Sequence, residues 1–545
     1  MTTLAASGNQ AVTAASSGAK NRAASAAWLA VVVRVASHVM IWTVLLVPMV
    51  SELAHGWRAL FDNANMSIRA FEVFSAHSSL LGPYSGASFS ASHAVYDLGP
   101  LMFWLLALPV HLSVQGALWG ATLWCGAIFS LATEAAWSRK GWIAGIVVAL
   151  GVVDLAWQAP DIFGHLAWNP YFGESFFLAS VVFAWVVATG GLGWWPVLVF
   201  SASVSAQCHL IFAVAAVALA LIAPLLGVFH KPRNGRWRWF GVGLAVGAVC
   251  WMPTLIQQAT GRPGNVTALL TVGHSQASQG VSAALRFLGA AGSQHPIWLR
   301  HFNPEDFSSL GGLEFSHSAV YGIFVLCLVG SIGVIAWLAG RRELADMSAL
   351  AVACALGTIV SFASVPSSQY LNLTYLVPCL WIVGFLLWTV VVWAAAELAR
   401  VALGRARRGT AHFGDAPRSE DVAIGIVGVV LLLAAGLYSS VGLAASATAQ
   451  VPRAEVGVIG PASKAVEEAV PRGPLEFDLV TDAGASAEFA ETQGIAWQLT
   501  ADGRIVGETT LFAAGTGLSV PPHARWPFVT VVVRGDRVVS VSRSG

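Results

Sequence analysis

The sequence predicts a polytopic α-helical membrane protein of about eleven transmembrane helices, ending in a small extracytoplasmic α+β domain. Three observations carry that expectation. Hydrophobic residues make up 56% of the chain and charged residues 10%, with a mean hydropathy of +0.69, which no soluble globular chain of 545 residues sustains. Apolar runs of spanning length recur between residues 27 and 446. Beyond residue 450 the composition turns charged and turn-rich, with alternating stretches such as Leu475-Glu476-Phe477-Asp478-Leu479. The net charge of +1 excludes a global basic field for nucleic acid. The six cysteines lie in or beside apolar runs without CxxC or His/Cys spacing, and read as small core residues rather than zinc ligands.

Residues 1–26, rich in Ala, Ser, Thr and Gly and without periodicity, read as a disordered cytoplasmic tail. The run 27–50 exceeds the roughly 7 to 15 apolar residues of a signal peptide, so it reads as an uncleaved first helix. Basic clusters at Lys20/Arg22, Arg139/Lys140, Lys231 to Arg238, Arg341/Arg342 and Arg400 to Arg418 all belong inside if 99–113 lies along the outer interface as an amphipathic segment. One crossing then follows at about 114–136. Further spans fall near 141–157, 171–189, 194–208, 209–229, 239–257, 317–339, 347–365, 371–396 and 422–446. The transmembrane domain thus covers 27–449, with outer loops 51–113 and 258–316, and the extracytoplasmic domain covers 450–545.

This threading places Asp62, Asp97, Asp154, Asp161 and Glu174 in outer loops or at outer helix ends. Carboxylates beside an apolar zone are costly unless they face a cavity or a partner, so several at one depth point to a site. The loop 258–316 adds His274, His295, Arg300, His301, Glu305 and Asp306. In the tail, Asp502-Gly503 and Gly535-Asp536 carry hairpin-turn chemistry between alternating runs.

Five segments occur in order: FDNANMSIRAFEVFSAHSSLLGPYS, GPLMFWLLALP, WNPYF, QCHLIF and WMPTLIQQATGRPGN. Together they resemble actinobacterial integral-membrane glycosyltransferases of the GT-C superfamily, over roughly residues 27–400. The resemblance implies an inverting transfer from a polyprenyl-phosphate-linked sugar, with an acid of the first outer loop as general base. That acid is Asp62. A hydroxyl is a poor nucleophile until a carboxylate takes its proton, a contribution of roughly 100- to 10,000-fold. The competing reading is that Asp62 caps a helix beginning at Asn63. Where such enzymes often carry a paired acid, this chain has Asn63 and Asn65, and where they tend to show His-Pro-Gly-Pro it has Asp97-Leu98-Gly99-Pro100.

The second acidic element of similar enzymes matches Asp161, with His165 and Asn169 beside it; a loop histidine and a turn residue before Pro170 are the plainer readings of those two. His209, next to Gln207 at an outer helix end, is costly in lipid unless it faces a cavity, and is a candidate ligand for phosphate or sugar. A leaving phosphate needs positive charge or donors, which Arg262, Arg69 and Arg300 offer; Arg262 otherwise reads as a snorkelling anchor. Glu174 completes the substrate-facing set. Arg34, inside the first span, either pairs with a polar neighbour or snorkels. No cofactor is certain, and a divalent cation is left open.

The expected activity is transfer of a sugar, mannose or arabinose foremost, from a polyprenyl-phosphate donor to an outer glycan or glycolipid at the plasma membrane. Partners are the donor, the acceptor and the bilayer, and no nucleic acid. Two rivals stand beside it: a transporter or flippase of lipid-linked sugars, and a catalytically silent glycan-binding member. A transporter usually carries pseudo-symmetric repeats and midplane polar groups, and neither is evident.

Overall fold

The computed structural model describes residues 4–408 and 453–544, except 77, 91–93, 159–165, 231–235, 276, 294–297, 299–317, 368–376, 472, 483, 509–524 and 536. In chain order the first part forms α1 (Leu4–Ala54), α2 (Phe61–Phe71), α3 (Leu101–Leu112), α4 (Gly116–Lys140), α5 (Trp142–Gln158), α6 (Asn169–Ala188) and α7 (Trp195–Cys208). It continues with α8 (Leu210–Val228), α9 (Arg236–Thr260), α10 (Asn265–Ser275), α11 (Gly280–Ala291), α12 (Ala319–Leu338), α13 (Arg342–Ala363) and α14 (Val377–Arg408). Among the described residues eight helices, α1, α4, α6, α8, α9, α12, α13 and α14, are long and apolar enough to cross a membrane. The chain is an α-helical membrane protein.

Of the eleven expected spans, those at 141–157 and 194–208 coincide with α5 and α7, which have 17 and 14 residues. At 1.5 Å per residue α7 reaches about 21 Å, short of the roughly 30 Å of a hydrocarbon core. The last expected span, 422–446, lies outside the described residues. The tail expected to be disordered carries helical backbone from Leu4 onward, in keeping with its alanine content, since Ala is the strongest helix former. The segment 258–316, expected as one outer loop, contains α10 and α11; α11 packs against α12, α13 and α14, with Phe287 beside Phe362 at 5.2 Å between ring centroids. A 12-residue apolar helix is too short to stand out as a span in sequence.

Helix α6 is central, with every residue except Val182 buried. The chain turns back at its ends, so α6, α7, α8 and α9 alternate in direction, and the break between α7 and α8 falls at His209, whose backbone is extended. At one end of the bundle Arg139 donates to Thr189 Oγ1 at 3.0 Å, His230 meets Asp346 at 2.7 Å, and Arg400 donates to Glu397 at 2.9 Å. Lys140 pairs with Glu343 there too. The basic clusters of α4, α13 and α14 therefore share one end. Arg34 and His38, one turn apart on α1, both reach Glu134 of α4, the arginine Nε at 2.7 Å and the histidine at 2.6 Å, so Arg34 pairs.

Residues 453–544 form α15 (Arg453–Ala469), β1 (Leu475–Thr481), α16 (Ala485–Ala501), β2 (Val506–Glu508), β3 (Phe528–Arg534) and β4 (Arg537–Ser544). The sheet order is β2-β1-β3-β4, with β1 parallel to both neighbours and β3 antiparallel to β4. Leu475, Phe477 and Leu479 of β1 and Val529, Val531 and Val533 of β3 are buried, which is the period-two pattern read in the sequence. β3 and β4 pair antiparallel as far as Arg534 with Arg537, on either side of the hairpin expected at Gly535-Asp536, of which Asp536 lies outside the described residues. Asp502-Gly503 is a correction: it ends α16, with Gly503 at φ +82° and Arg504 N donating to Leu499 O at 2.9 Å. A helix C-cap and a hairpin turn both need a residue at positive φ, so the same dipeptide serves either.

Candidate functional site

The end of the bundle opposite the basic cluster is organised around Asp97, which is 2% exposed. Its segment is fixed first. Asp97 N donates to Pro83 O at 2.8 Å, and a Cβ on Gly82 would fall 2.7 Å from Asp97 O, so glycine is needed there. Asn265, at the start of α10, closes on Tyr96 in both directions, accepting from its N–H at 3.0 Å and donating to its carbonyl at 2.9 Å. Gln257 and Gln258, at the end of α9, accept from Asn265 N and Val266 N, each at 2.9 Å, and so satisfy first-turn donors of α10.

Held in this way, the Asp97 carboxylate spans a helix junction. Its Oδ1 accepts from Leu210 N at 3.3 Å, where α8 begins, and its Oδ2 accepts from the Asn169 side chain at 3.3 Å, where α6 begins. Asn169 also donates to Cys208 O, the last residue of α7, at 2.8 Å. Burial pushes the Asp97 carboxyl well above the usual aspartate range, against the pull of these two donors. Alongside, Gln207 donates to Cys250 O at 2.9 Å and accepts from Leu101 N at 3.4 Å, while Thr254 donates to Leu98 O at 2.7 Å. These bonds pin the start of α3 to α7 and α9.

Asp62 stands on α2, in its first turn. Leu60 is extended and offers no side-chain cap, and Phe61 takes φ +46°, alone among the described non-glycine residues in the left-handed region. The helix begins at Phe61 rather than Asn63, so Asp62 is not its capping residue. Its carboxyl accepts hydrogen bonds from the side chains of Trp168 and Asn65; burial raises its pKa and these bonds offset part of the rise. Trp168 and Asn169 are consecutive, so adjacent donors at the head of α6 serve Asp62 and Asp97. The Oδ1 atoms of Asn63 and Asn65 are buried without a hydrogen-bond donor among the described residues.

The remaining predicted residues separate. Asp161 and His165 lie outside the described residues. His209 sits at the α7/α8 break, and its Nδ1 accepts from Ile211 N at 3.2 Å, which leaves the N–H on Nε2 of a neutral ring. Arg69 is engaged by Glu72 at 2.5 Å, which competes with any role as a phosphate donor. Arg262 is exposed in the turn between α9 and α10. Glu174 is 1% exposed, about 7.5 Å along α6 from Asn169, and its Oε1 has no donor among the described residues. Asp154 lies on α5, bonded to Gln158.

Sequence reasoning passed over Gln207, Thr254 and Asn265 as structural partners. Their signal was polarity at the ends of apolar runs, and the amide of Asn265 is bonded on both sides. Among the described residues no three His, Cys, Asp or Glu side chains gather to hold a metal ion. The five sequence segments that carry the resemblance meet here: Asp62, Gly99, Trp168 with Asn169, Gln207 with His209, and Thr254 with Asn265 lie about one helix junction. No protein-family model matches the chain, and no curated protein is significantly similar to it.

Proposed function

We propose that the chain is a membrane glycosyltransferase that moves a sugar from a polyprenyl-phosphate donor to a hydroxyl of a glycan or glycolipid, with Asp62 as general base. The observation that supports this most is Asp62 itself, a partly buried carboxylate of raised proton affinity, held by Trp168 and Asn65 at one end of a membrane bundle. Such a group is better suited than a solvated aspartate to take a proton near neutral pH. The acceptor oxygen forms its bond to the anomeric carbon as the bond to the phosphate oxygen breaks. The acceptor proton passes to Asp62, and polyprenyl phosphate leaves with the bonding electrons, inverting the anomeric centre.

His209, neutral with its Nε2 N–H, and Arg262 would meet the charge that develops on the phosphate. Asp161 would orient the acceptor. Mannose and arabinose are the first donors to test. The opposite end of the bundle gathers the basic clusters, and the positive-inside rule then favours an extracytoplasmic site in the plasma membrane.

The test is sugar transfer by the purified protein in lipid, offered a panel of polyprenyl-phosphate sugars and a mixed glycan acceptor, beside a folded Asp62→Asn variant. Transfer that falls roughly 100- to 10,000-fold in the variant is expected. Equal transfer by both proteins would remove Asp62 as the base. Failure to transfer from any donor would sink the glycosyltransferase reading and favour transport or silent glycan binding.

A further inference from the structure

No side chain caps the start of α2. Its N-cap residue Leu60 makes no side-chain bond, and its first residue Phe61 sits at φ +46°, a conformation that a non-glycine residue rarely adopts. A short helix with such an entry is held by what packs on it, and α2 packs chiefly on α3 and on α16 of the C-terminal domain.

The contacts with α16 fall on the entry itself and on both ends of α2. Phe489 meets the Phe61 ring edge-on at 5.9 Å between centroids, and Trp497 meets Phe71 in the same way at 5.9 Å. Gly494 lets α16 approach the chain just before α2: a Cβ there would lie 3.1 Å from Ala59 O and 3.1 Å from Leu60 Cδ2. Arg58 donates to Gln498 Oε1 at 2.9 Å. Trp497, 2% exposed, donates its indole N–H to Val114 O at 2.9 Å, which ties the domain to the turn between α3 and α4 as well.

From this juxtaposition we infer that the C-terminal domain positions Asp62: α16, through Phe489, Gly494 and Trp497, clamps residues 58–71 and holds Asp62 against Trp168. These are positioning residues, since they act through α2 rather than on a substrate. The inference rests on Asp62 being the reacting carboxylate only for its kinetic consequence; the clamp is a statement about structure. When the clamp opens, Phe61 is released from its strained conformation and Asp62 becomes open to water.

Full-length protein in lipid nanodiscs, with Cys327→Ser to remove the exposed thiol and Asp62→Cys as reporter, is labelled with a membrane-impermeant maleimide. Phe489→Ala and Trp497→Ala should each raise the labelling rate of position 62 by about tenfold or more, as loss of a packed aromatic shifts a local opening equilibrium. Trp497→Phe, which keeps a ring and loses the bond to Val114 O, should fall between. A second reporter, Ser364→Cys, exposed beyond α13, should label at an unchanged rate. Unchanged labelling at position 62 in every variant, or an equal rise at position 364, overturns the inference. If Trp497→Ala does not fold, Phe489→Ala and Arg58→Ala carry the test. In transfer assays on the Asp62 protein the same variants should lower kcat, leave the donor KM unchanged and move the acid limb of the pH profile. A wild type that transfers no sugar, while labelling responds as stated, would refute the glycosyltransferase reading and leave the clamp standing.

Discussion

Asn169 uses its side-chain NH2 to join a loop carboxyl to a helix end, donating to Asp97 Oδ2 at 3.3 Å and to Cys208 O at 2.8 Å. It is 6% exposed, so neither acceptor can turn to water when the donor is removed. Asn169→Ala is therefore expected to cost about 1 to 3 kcal/mol, the penalty of leaving buried acceptors unmet. Thermal unfolding in detergent or nanodiscs reads this as a lowered midpoint. A midpoint equal to that of the wild type would mean the junction does not depend on the amide.

The Asp97 carboxyl gives stability a pH dependence of defined sign. Its folded pKa is raised by burial, so the folded state binds the proton more tightly than the unfolded chain does. Its stabilising contribution is full below the ordinary aspartate range and is lost as pH rises through the raised folded value. The neutral Asp97→Asn side chain has no such titration. Acidification from pH 7 towards pH 4 should thus move the melting temperature of the wild type upward relative to Asp97→Asn. A difference that stays constant, or moves the other way, would show that Asp97 does not titrate in this window.

How much of this was legible in the sequence depends on how far apart the partners lie along the chain. The break at His209 falls at the expected boundary of 208/209, although 194–229 reads as one continuous apolar run and nothing local marks where it divides. Asp97 could be read as polar at a helix end, yet its role could not, because its donors Asn169 and Leu210 lie 72 and 113 residues away. Asp62 drew attention as the acid after the first span, while its capping role was the wrong local inference. A left-handed Phe61 has no sequence signature, and the ring it meets, Phe489, lies more than 400 residues later. The two asparagines beside Asp62 were legible as departures from a family pattern. That one of them hydrogen-bonds the acid was not.

Gly99 offers a test of the packing between α3, α7 and α9. A Cβ there would stand 2.2 Å from Gln207 Oε1 and 2.6 Å from Thr254 Oγ1, both of them bonded side chains that cannot swing away freely. Gly99→Ala should destabilise by about 1 to 3 kcal/mol, the usual cost of overpacking. Gln207→Ala alone should also destabilise, because Cys250 O and Leu101 N lose their partner. Combining the two removes the nearer of the two obstacles that the alanine meets, so the double variant should lose less than the two single losses added together. Strict additivity in the melting data would count against the contact.

Trp168 sets the proton affinity of Asp62 in a way that transfer kinetics can read. Its side chain donates to the carboxyl and so favours the charged form, against the burial that disfavours it. Trp168→Phe keeps an aromatic ring against Tyr171, now 4.9 Å away between centroids, and deletes only the N–H. A hydrogen bond to a charged group favours its ionised form, so the Asp62 pKa should climb further when the indole N–H is deleted. Since the base must be ionised to act, the acid limb of the kcat/KM profile should move to higher pH, with activity recovering on the alkaline side. Uniform loss of activity at all pH values would mean that Trp168 serves the substrate rather than the base. A limb that moves to lower pH would contradict the hydrogen bond itself.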